Sequence, residues 1–376
     1  MKDYSLFWKK EVADICKTLS EEGHISYFYG STARNLRLKI PENSYYYILT
    51  TANLIDLSRL FESIEFPGKS DYDGEIHCKE CFIRFKILNV TCHGVDFDIL
   101  RQESLKELFT LNTLFFDIEK EIYLDPLDCY YDFREKKIRL TPDFEEIYSN
   151  KPYKIFDLLY LMSEYDFALE EHVKCKIEKI PFKFRNEYRD EIITGFNNVI
   201  VTKNPYISIS VMDKLNILQE IFPLLSDTKS VPQNKDFHPE GNVYEHTIEC
   251  FKYLRKPSLP LALSLLLHDT GKPETLTRDG KNVRFPGHSR AGAAIARKIL
   301  RKFGYSQDIT GNVAFLIEYH LLAHEFRKMN DRQKIEIINN NMFTDLLKLY
   351  KADVSSCYGD LIDYRKIVSL YKKYKK

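Results

Sequence analysis

The chain has 376 residues and a mass of 44.4 kDa, enough for two or three compact domains of roughly 100–200 residues each. Its 44% hydrophobic and 29% charged content is that of an ordinary folded protein and excludes a mainly disordered, collagen-like or coiled-coil chain. The net charge of zero hides a division: residues 1–230 hold 30 lysines and arginines against 39 acidic residues, and residues 231–376 hold 25 against 16, so the two parts stand at −9 and +9.

The opening stretch MKDYSLFWKKEVADICK is charged and amphipathic and has no apolar h-region ahead of a small-residue cleavage site, so no secretion is expected. Residues 8–19 have helical spacing. The runs 26–29, 45–49, 82–88 and 95–100 are short, β-branched or aromatic, and separated by Gly, Pro, Asn and Asp, the pattern of strands. Residues 1–145 are therefore expected to form an α+β domain. From about residue 151 the alternation stops, and 155–167, 188–196 and 211–225 place apolar residues three and four apart, which makes 146–230 helical. Gly and Pro cluster at 231–241, a linker ahead of a wholly helical unit, 231–376.

Leu259–Leu267 is the longest nearly apolar run, nine residues with Ser264 inside it, against the about 20 that a membrane span needs. No membrane insertion is expected. The last twelve positions hold six basic residues and no acidic one, a tail that either attracts phosphate or stays solvated. Eight irregularly spaced cysteines, in a chain large enough to need no staples, read as free thiols in a reducing compartment, the cytoplasm by default.

Histidine and aspartate recur in the helical unit at His246, His268, Asp269, His288, His320 and Asp353. Leu259–Leu267 reads as a buried helix that ends in His-Asp-Thr-Gly-Lys, and ionisable groups at such a place need a reason. Imidazole nitrogens with carboxylate oxygens suit Mn, Fe, Ni, Co or Zn, whereas Mg favours an all-oxygen shell; the chemistry this points to is redox-silent Lewis-acid catalysis. Lys272, four residues after His268, contacts a phosphate or leaving oxygen if the helix runs on through Gly271, or is a solvated lysine. A second set, His77, Cys78, Cys81, Cys92 and His93, has the ligand types of a small zinc site, although such spacing also arises by chance between hairpin strands. The 25 tyrosines either stack on bases or fill cores.

The runs HPEGNVYEHT (238–247), LLLHDTGKPET (265–275), FPGHSRAGAAIARKIL (285–300), IEYHL (317–321) and LLKLYKADV (346–354) resemble the HD-domain phosphohydrolases, specifically the HD domain attached to bacterial tRNA nucleotidyltransferases. The resemblance implies that His246, His268, Asp269 and Asp353 hold a primary metal, with Asp269 bridging to a second metal on His288 and His320. Asp269 and Lys272 become the catalytic candidates, and His238, Glu240 and His324 candidates for contacting substrate or supporting the ligands.

YFYGSTARNLRLKIPENSYYYILTTA (27–52) resembles the opening of the same CCA-adding and poly(A) polymerase family, whose pattern is Gly-Gly-x-x-Arg-Asp followed by a strand with Asp-x-Asp. Gly30, Arg34 and Pro41 match, and Gly30 and Arg34 become substrate-binding candidates. Ser31, Asn35, Tyr45 and Tyr47 depart from the pattern, the two tyrosines at the positions of the metal-binding carboxylates. VDFDILR (95–101) matches the strand with the third carboxylate, at Asp96; FTLN (109–112), Asp125-Pro126 and Ile138-Arg139 also match, while Lys106, Glu107, Leu108 and the run Lys151-Pro152-Tyr153-Lys154 depart.

The implied fold is a degenerate polymerase-β-type mixed-sheet domain, a helical neck and body, and an all-helical HD domain. The implied function is metal-dependent hydrolysis of a 2′,3′-cyclic or 2′-phosphate on a nucleotide or an RNA end, with the tRNA 3′ end and nucleotides as partners. Two alternatives stand beside it: a working CCA-adding enzyme in which Asp96 and Asp98, on one face of a strand, have taken over metal binding, and a non-catalytic nucleotide- or RNA-binding regulator.

Overall fold

The computed structural model describes residues 8–40, 45–68, 71–88, 95–233, 241–279, 282–357 and 361–374. Two compact units divide the chain: residues 1–151 with 167–177, and residues 152–166 with 178–376.

The first unit is built on a seven-stranded mixed sheet. Its strands are β1 (Ser26–Phe28), β2 (Tyr45–Thr50), β3 (Ile64–Glu65), β4 (Gly74–His77), β5 (Phe82–Ile87), β6 (Phe115–Asp117) and β7 (Ile122–Leu124), in the order β3-β4-β5-β2-β1-β6-β7. The central β2–β5 pair is parallel and the other neighbours are antiparallel. Helix α1 (Lys10–Glu21) buries Val12, Cys16 and Leu19 on one stripe, α2 (Gly30–Leu38) follows β1, and α3 (Leu54–Leu60) starts in a reciprocal cap between Asn53 and Asp56.

Residues 95–100, expected as a strand, instead open helix α4 (Phe97–Ser104). Asp96 is its N-cap, the carboxylate accepting from Ile99 N at 2.9 Å, and Asp98 sits in the first turn, where the helix dipole favours a negative charge. The alternation of Val95, Asp96, Phe97 and Asp98 is that of a cap followed by its first turn. Phe97 is 51% exposed, while Leu100 takes the core position. Asp96 is an extended N-cap with its carboxylate turned onto the helix end, and Asp98 lies in the first helical turn, so the strand face that would align the two is not formed.

The second unit is helical. The stretch 211–225, expected as one helix, is broken into the end of Pro205–Lys214, then Ile217–Ile221, then the start of Leu225–Lys229, with Asn216 in the left-handed region (φ 55°) at the first break and Pro223 at the second. Thr277–Asp279 and Asn282–Arg284 form a two-stranded hairpin inside an otherwise helical region. Among the described residues no helix is long and apolar enough to cross a membrane.

Candidate metal centre

Five segments of the second unit bring six side chains together. His246 lies in helix Val243–Cys250, His268 and Asp269 directly follow helix Leu259–Leu267, His288 opens helix His288–Lys302, His320 follows helix Gln307–Glu318, and Asp353 lies in helix Phe343–Ser356. The close approach that this requires depends on Gly271: a Cβ there would collide with the His288 carbonyl oxygen and the Gly292 nitrogen, both backbone atoms. Gly271→Ala is expected to cost more than about 2 kcal/mol of stability, as overpacking against rigid backbone does; the shift of the urea midpoint measures it.

Two triads result, His246 with His268 and Asp353, and Asp269 with His288 and His320, the ligand atoms within each lying within 4.8 Å of one another. Three of the four imidazoles are oriented by the same device. His268, His288 and His320 each place Nδ1 2.7–2.8 Å from the carbonyl oxygen three residues earlier, of Leu265, Phe285 and Ile317. A carbonyl only accepts, so each Nδ1 carries a proton, and in a neutral ring Nε2 then keeps a bare lone pair.

Those lone pairs converge. His288 Nε2 and His320 Nε2 are 3.3 Å apart and lie 3.5 and 3.8 Å from Asp269 Oδ1. His268 Nε2 is 3.2 Å and Lys272 Nζ 2.6 Å from Asp269 Oδ2. Close as these are, His268 Nε2 and both Asp269 oxygens are buried without a hydrogen-bond partner of proper geometry, so the attraction is electrostatic and undirected. Acceptors facing acceptors in a buried space are completed by a cation, and the groups could hold a metal ion.

The electrostatics of the Asp269 triad agree. Burial pushes the pKa of His288 down and that of His320 down to about 3, with the neighbouring His268 adding to the effect on His320, which leaves both imidazoles neutral. Burial alone would raise the Asp269 pKa, but His268 and Lys272 hold it well below the usual carboxylate range. At the other triad, His246 Nε2 is 2.9 Å from Asp353 Oδ1. Burial works against the His246 imidazolium, yet Cys250 and Asp353 together hold its pKa well above the ordinary histidine range. Ser356 donates to the Asp353 carbonyl at 2.7 Å, leaving its oxygen to accept from His246 Nδ1 at 3.2 Å. Cys250, Ser356 and Cys357 around His246 carried no signal in the sequence.

Lys272 is neither solvated nor one turn along a continuous helix. The helix ends at Leu267 and a new turn, Lys272–Thr275, begins after Gly271; the ammonium is buried, ion-paired with Asp269 and donating to Gln233 Oε1 at 2.9 Å. His324 is exposed on helix Leu322–Lys328. His238 and Glu240 lie outside the described residues, as do Pro41, Cys92 and His93. His77 turns toward Glu75 (2.8 Å) and the Phe82 ring, and Cys81 is buried under the hairpin turn; among the described residues these form no metal-ligand cluster.

In the first unit, the β2–β5 register sets Tyr47 beside Arg84 and Tyr45 beside Phe82. The Arg84 guanidinium lies 4.2 Å from the Tyr45 ring centroid and 4.4 Å from that of Tyr72, and donates to Glu75 at 2.6 Å and to the Tyr47 hydroxyl at 3.1 Å. Gly30 opens α2 at φ +59°. Arg34, expected as a substrate contact, is 2% exposed and donates to Asn35 and Asn112, which ties α2 to the turn after α4 instead of facing solvent.

Residues 243–349 match the HD domain family. The HD domain thus contains His246, His268, Asp269, His288 and His320, and Asp353 lies four residues beyond the match. Over the whole chain the fold is similar to that of solved tRNA-processing enzymes. The Bacillus stearothermophilus CCA-adding enzyme in complex with CTP matches with a TM-score of 0.66 at 13% identity, covering 100% of this chain and 82% of that one. The Thermotoga maritima CCA-adding enzyme complexed with tRNA matches at 0.55 and 13%, covering 99% and 85%. A tRNA nucleotidyltransferase complexed with a primer tRNA and an incoming ATP analogue matches at 0.57 and 14%, covering 97% and 98%. The chain therefore has the CCA-adding-enzyme fold, a mixed-sheet domain followed by helical body and HD domain.

Proposed function

We propose that this protein is a metal-dependent phosphohydrolase acting on 2′,3′-cyclic or 2′-phosphate groups of a nucleotide or an RNA end, and that its N-terminal domain does not transfer nucleotides. The observation that carries the reading is the convergence of the His268, His288 and His320 Nε2 atoms on the buried Asp269 carboxylate, with each Nδ1 held by a carbonyl. His246, His268 and Asp353 would hold one divalent ion and His288 with His320 a second, with Asp269 shared between them. The mixed nitrogen and oxygen donors favour Mn, Ni, Co, Fe or Zn, with Mg a poorer fit. Such an ion supplies Lewis acidity, making hydroxide available near neutral pH and neutralising phosphate charge.

The chain's own groups prepare the site. The three carbonyl clamps fix the ring tautomers and aim the lone pairs before any ligand arrives. Lys272 keeps Asp269 ionised and in place, with Gln233 holding the other side of the ammonium. The solved relatives in fold are complexes with CTP, tRNA and an ATP analogue, and the excess of positive charge in residues 231–376 suits phosphate; these favour an RNA end as substrate. On this reading residues 1–145 are the nucleotidyltransferase-like domain, 146–230 the neck and body, and 231–376 the hydrolase.

The test is a panel of 2′,3′-cyclic mononucleotides, phosphomonoesters and end-phosphorylated tRNA, each assayed with Mn, Ni, Co, Zn and Mg at two salt concentrations. Metal-dependent hydrolysis is expected, with RNA substrates weakened more by salt than mononucleotides because phosphate contacts release counterions. No turnover with any metal would remove the hydrolase; turnover of mononucleotides alone, with no tRNA binding at low salt, would remove RNA.

A further inference from the structure

The fourth imidazole of the cluster is held differently from the other three. His268, His288 and His320 each donate from Nδ1 to a carbonyl three residues back on their own segment, whereas the partner of His246 Nδ1 is the Ser356 hydroxyl, 3.2 Å away and 110 residues along the chain. A backbone carbonyl survives any substitution; a serine hydroxyl does not.

Each hydrogen bond at that hydroxyl has one direction open to it. A serine Oγ has one proton to give and two lone pairs to receive with. The proton goes to the Asp353 carbonyl at 2.7 Å, an atom that only accepts. Both lone pairs are then left for donors, and two stand ready: Nδ1–H of His246 at 3.2 Å and the thiol of Cys250 at 3.1 Å. The Cys357 thiol, 3.8 Å from the same oxygen, donates instead to the Asp353 carbonyl at 3.4 Å. With Oγ confined to accepting from His246, Nδ1 is a protonated nitrogen of that ring, and Nε2 is the one turned to Asp353 Oδ1 at 2.9 Å. A histidine that ligates a metal does so through its unprotonated nitrogen; Ser356 therefore selects Nε2 for that part.

The same oxygen joins two helices. Asp353 and Ser356 lie three residues apart on helix Phe343–Ser356, and His246 and Cys250 four apart on helix Val243–Cys250, separations that put each pair on one helix face. The hydroxyl thus ties the backbone at one candidate ligand, Asp353, to the ring of another, His246.

We propose that Ser356 is a positioning residue of the metal centre: it sets the His246 tautomer and holds the ring against Asp353, so that metal affinity at the His246, His268 and Asp353 triad depends on its hydroxyl, while affinity at the Asp269, His288 and His320 triad does not. The assignment rests on the metal-site reading and adds to it a residue that acts only through His246 and Asp353.

The experiment is calorimetric titration of the full-length protein, stripped of metal by a chelator, with Mn alone, on the wild type, Ser356→Ala, Ser356→Thr and Ser264→Ala. Threonine keeps an Oγ1 that can bond the carbonyl three residues back on a helix. Ser264→Ala removes another buried hydroxyl, bonded to the Leu261 carbonyl at 2.8 Å, and controls for that loss in itself. Melting curves of the metal-free variants certify folding. The wild type is expected to take up one ion per triad; Ser356→Ala weakens one of them about 10–100-fold and leaves the other within about threefold, Ser356→Thr recovers most of the loss, and Ser264→Ala matches the wild type. If the wild type takes up a single ion, its weakening in Ser356→Ala and recovery in Ser356→Thr support the assignment. Unchanged affinity in Ser356→Ala, equal weakening of both ions, or no recovery in a folded Ser356→Thr would overturn the role of Ser356 while the metal centre stands. No uptake by the wild type would overturn the metal-site reading and the assignment with it.

Discussion

Asp269→Ala is expected to strip the protein of its divalent metal and to lower phosphoester hydrolysis by more than about 100-fold, since replacing even a group that only supports a ligand costs 10–100-fold. The carboxylate is the point on which His268, His288 and His320 converge, at 3.2, 3.5 and 3.8 Å. Its removal leaves the three Nε2 atoms without that anion among them and a buried Lys272 with Gln233 and the Phe285 ring as its remaining partners. That unpaired ammonium also destabilises the fold, so Asp269→Asn, which keeps the volume, is the companion variant. Elemental analysis of both proteins, with melting temperatures alongside, separates loss of metal from loss of structure. Wild-type metal content in both would remove Asp269 from the site.

Incubation with labelled CTP or ATP, Mg and a tRNA lacking its 3′ CCA is expected to give no incorporation. Nucleotidyl transfer needs hard Mg ions held by oxygen anions. At the two positions where the resemblance places those anions stand Tyr45 and Tyr47, phenols that are neutral near pH 7, and between them lies the permanent cation of Arg84. A guanidinium repels a divalent metal. Asp96, the remaining candidate, has one carboxylate oxygen committed to the first turn of α4. Incorporation that disappears in Asp96→Asn would show that transfer survives and that this carboxylate carries it.

The ligand cluster was legible because each of its members sits at or inside a helix, where the spacing of apolar residues marks the face and the chemistry of the motif marks the exception. Its support was not. Gln233 reaches Lys272 across 39 residues, and Ser356 reaches His246 across 110, distances over which no local pattern operates. Arg84 was equally silent, since its place beside Tyr47 depends on the parallel β2–β5 register, 37 residues apart. The failure at 95–100 has a local cause: Asp is both a poor strand residue and a good helix cap, and an alternating quartet weighs the wrong one when the cap is left out. The short strands β3, β4, β6 and β7 went unread because runs of two to four residues carry too little alternation to register.

The carbonyl clamps have a consequence for which changes of length the chain can tolerate. Each of the three imidazoles is positioned by counting back three residues along its own segment, so the ligand directions are tied to residue number within Leu259–Leu267, Phe285–His288 and Gln307–Glu318. Deleting or inserting one residue within such a helix rotates everything after it by about 100° and would swing an imidazole out of the cluster together with the apolar face that the helix buries. Descendants of this sequence should therefore vary in length in the connections between helices and stay fixed in length through these three segments, even where almost every apolar residue in them has been exchanged for another apolar one.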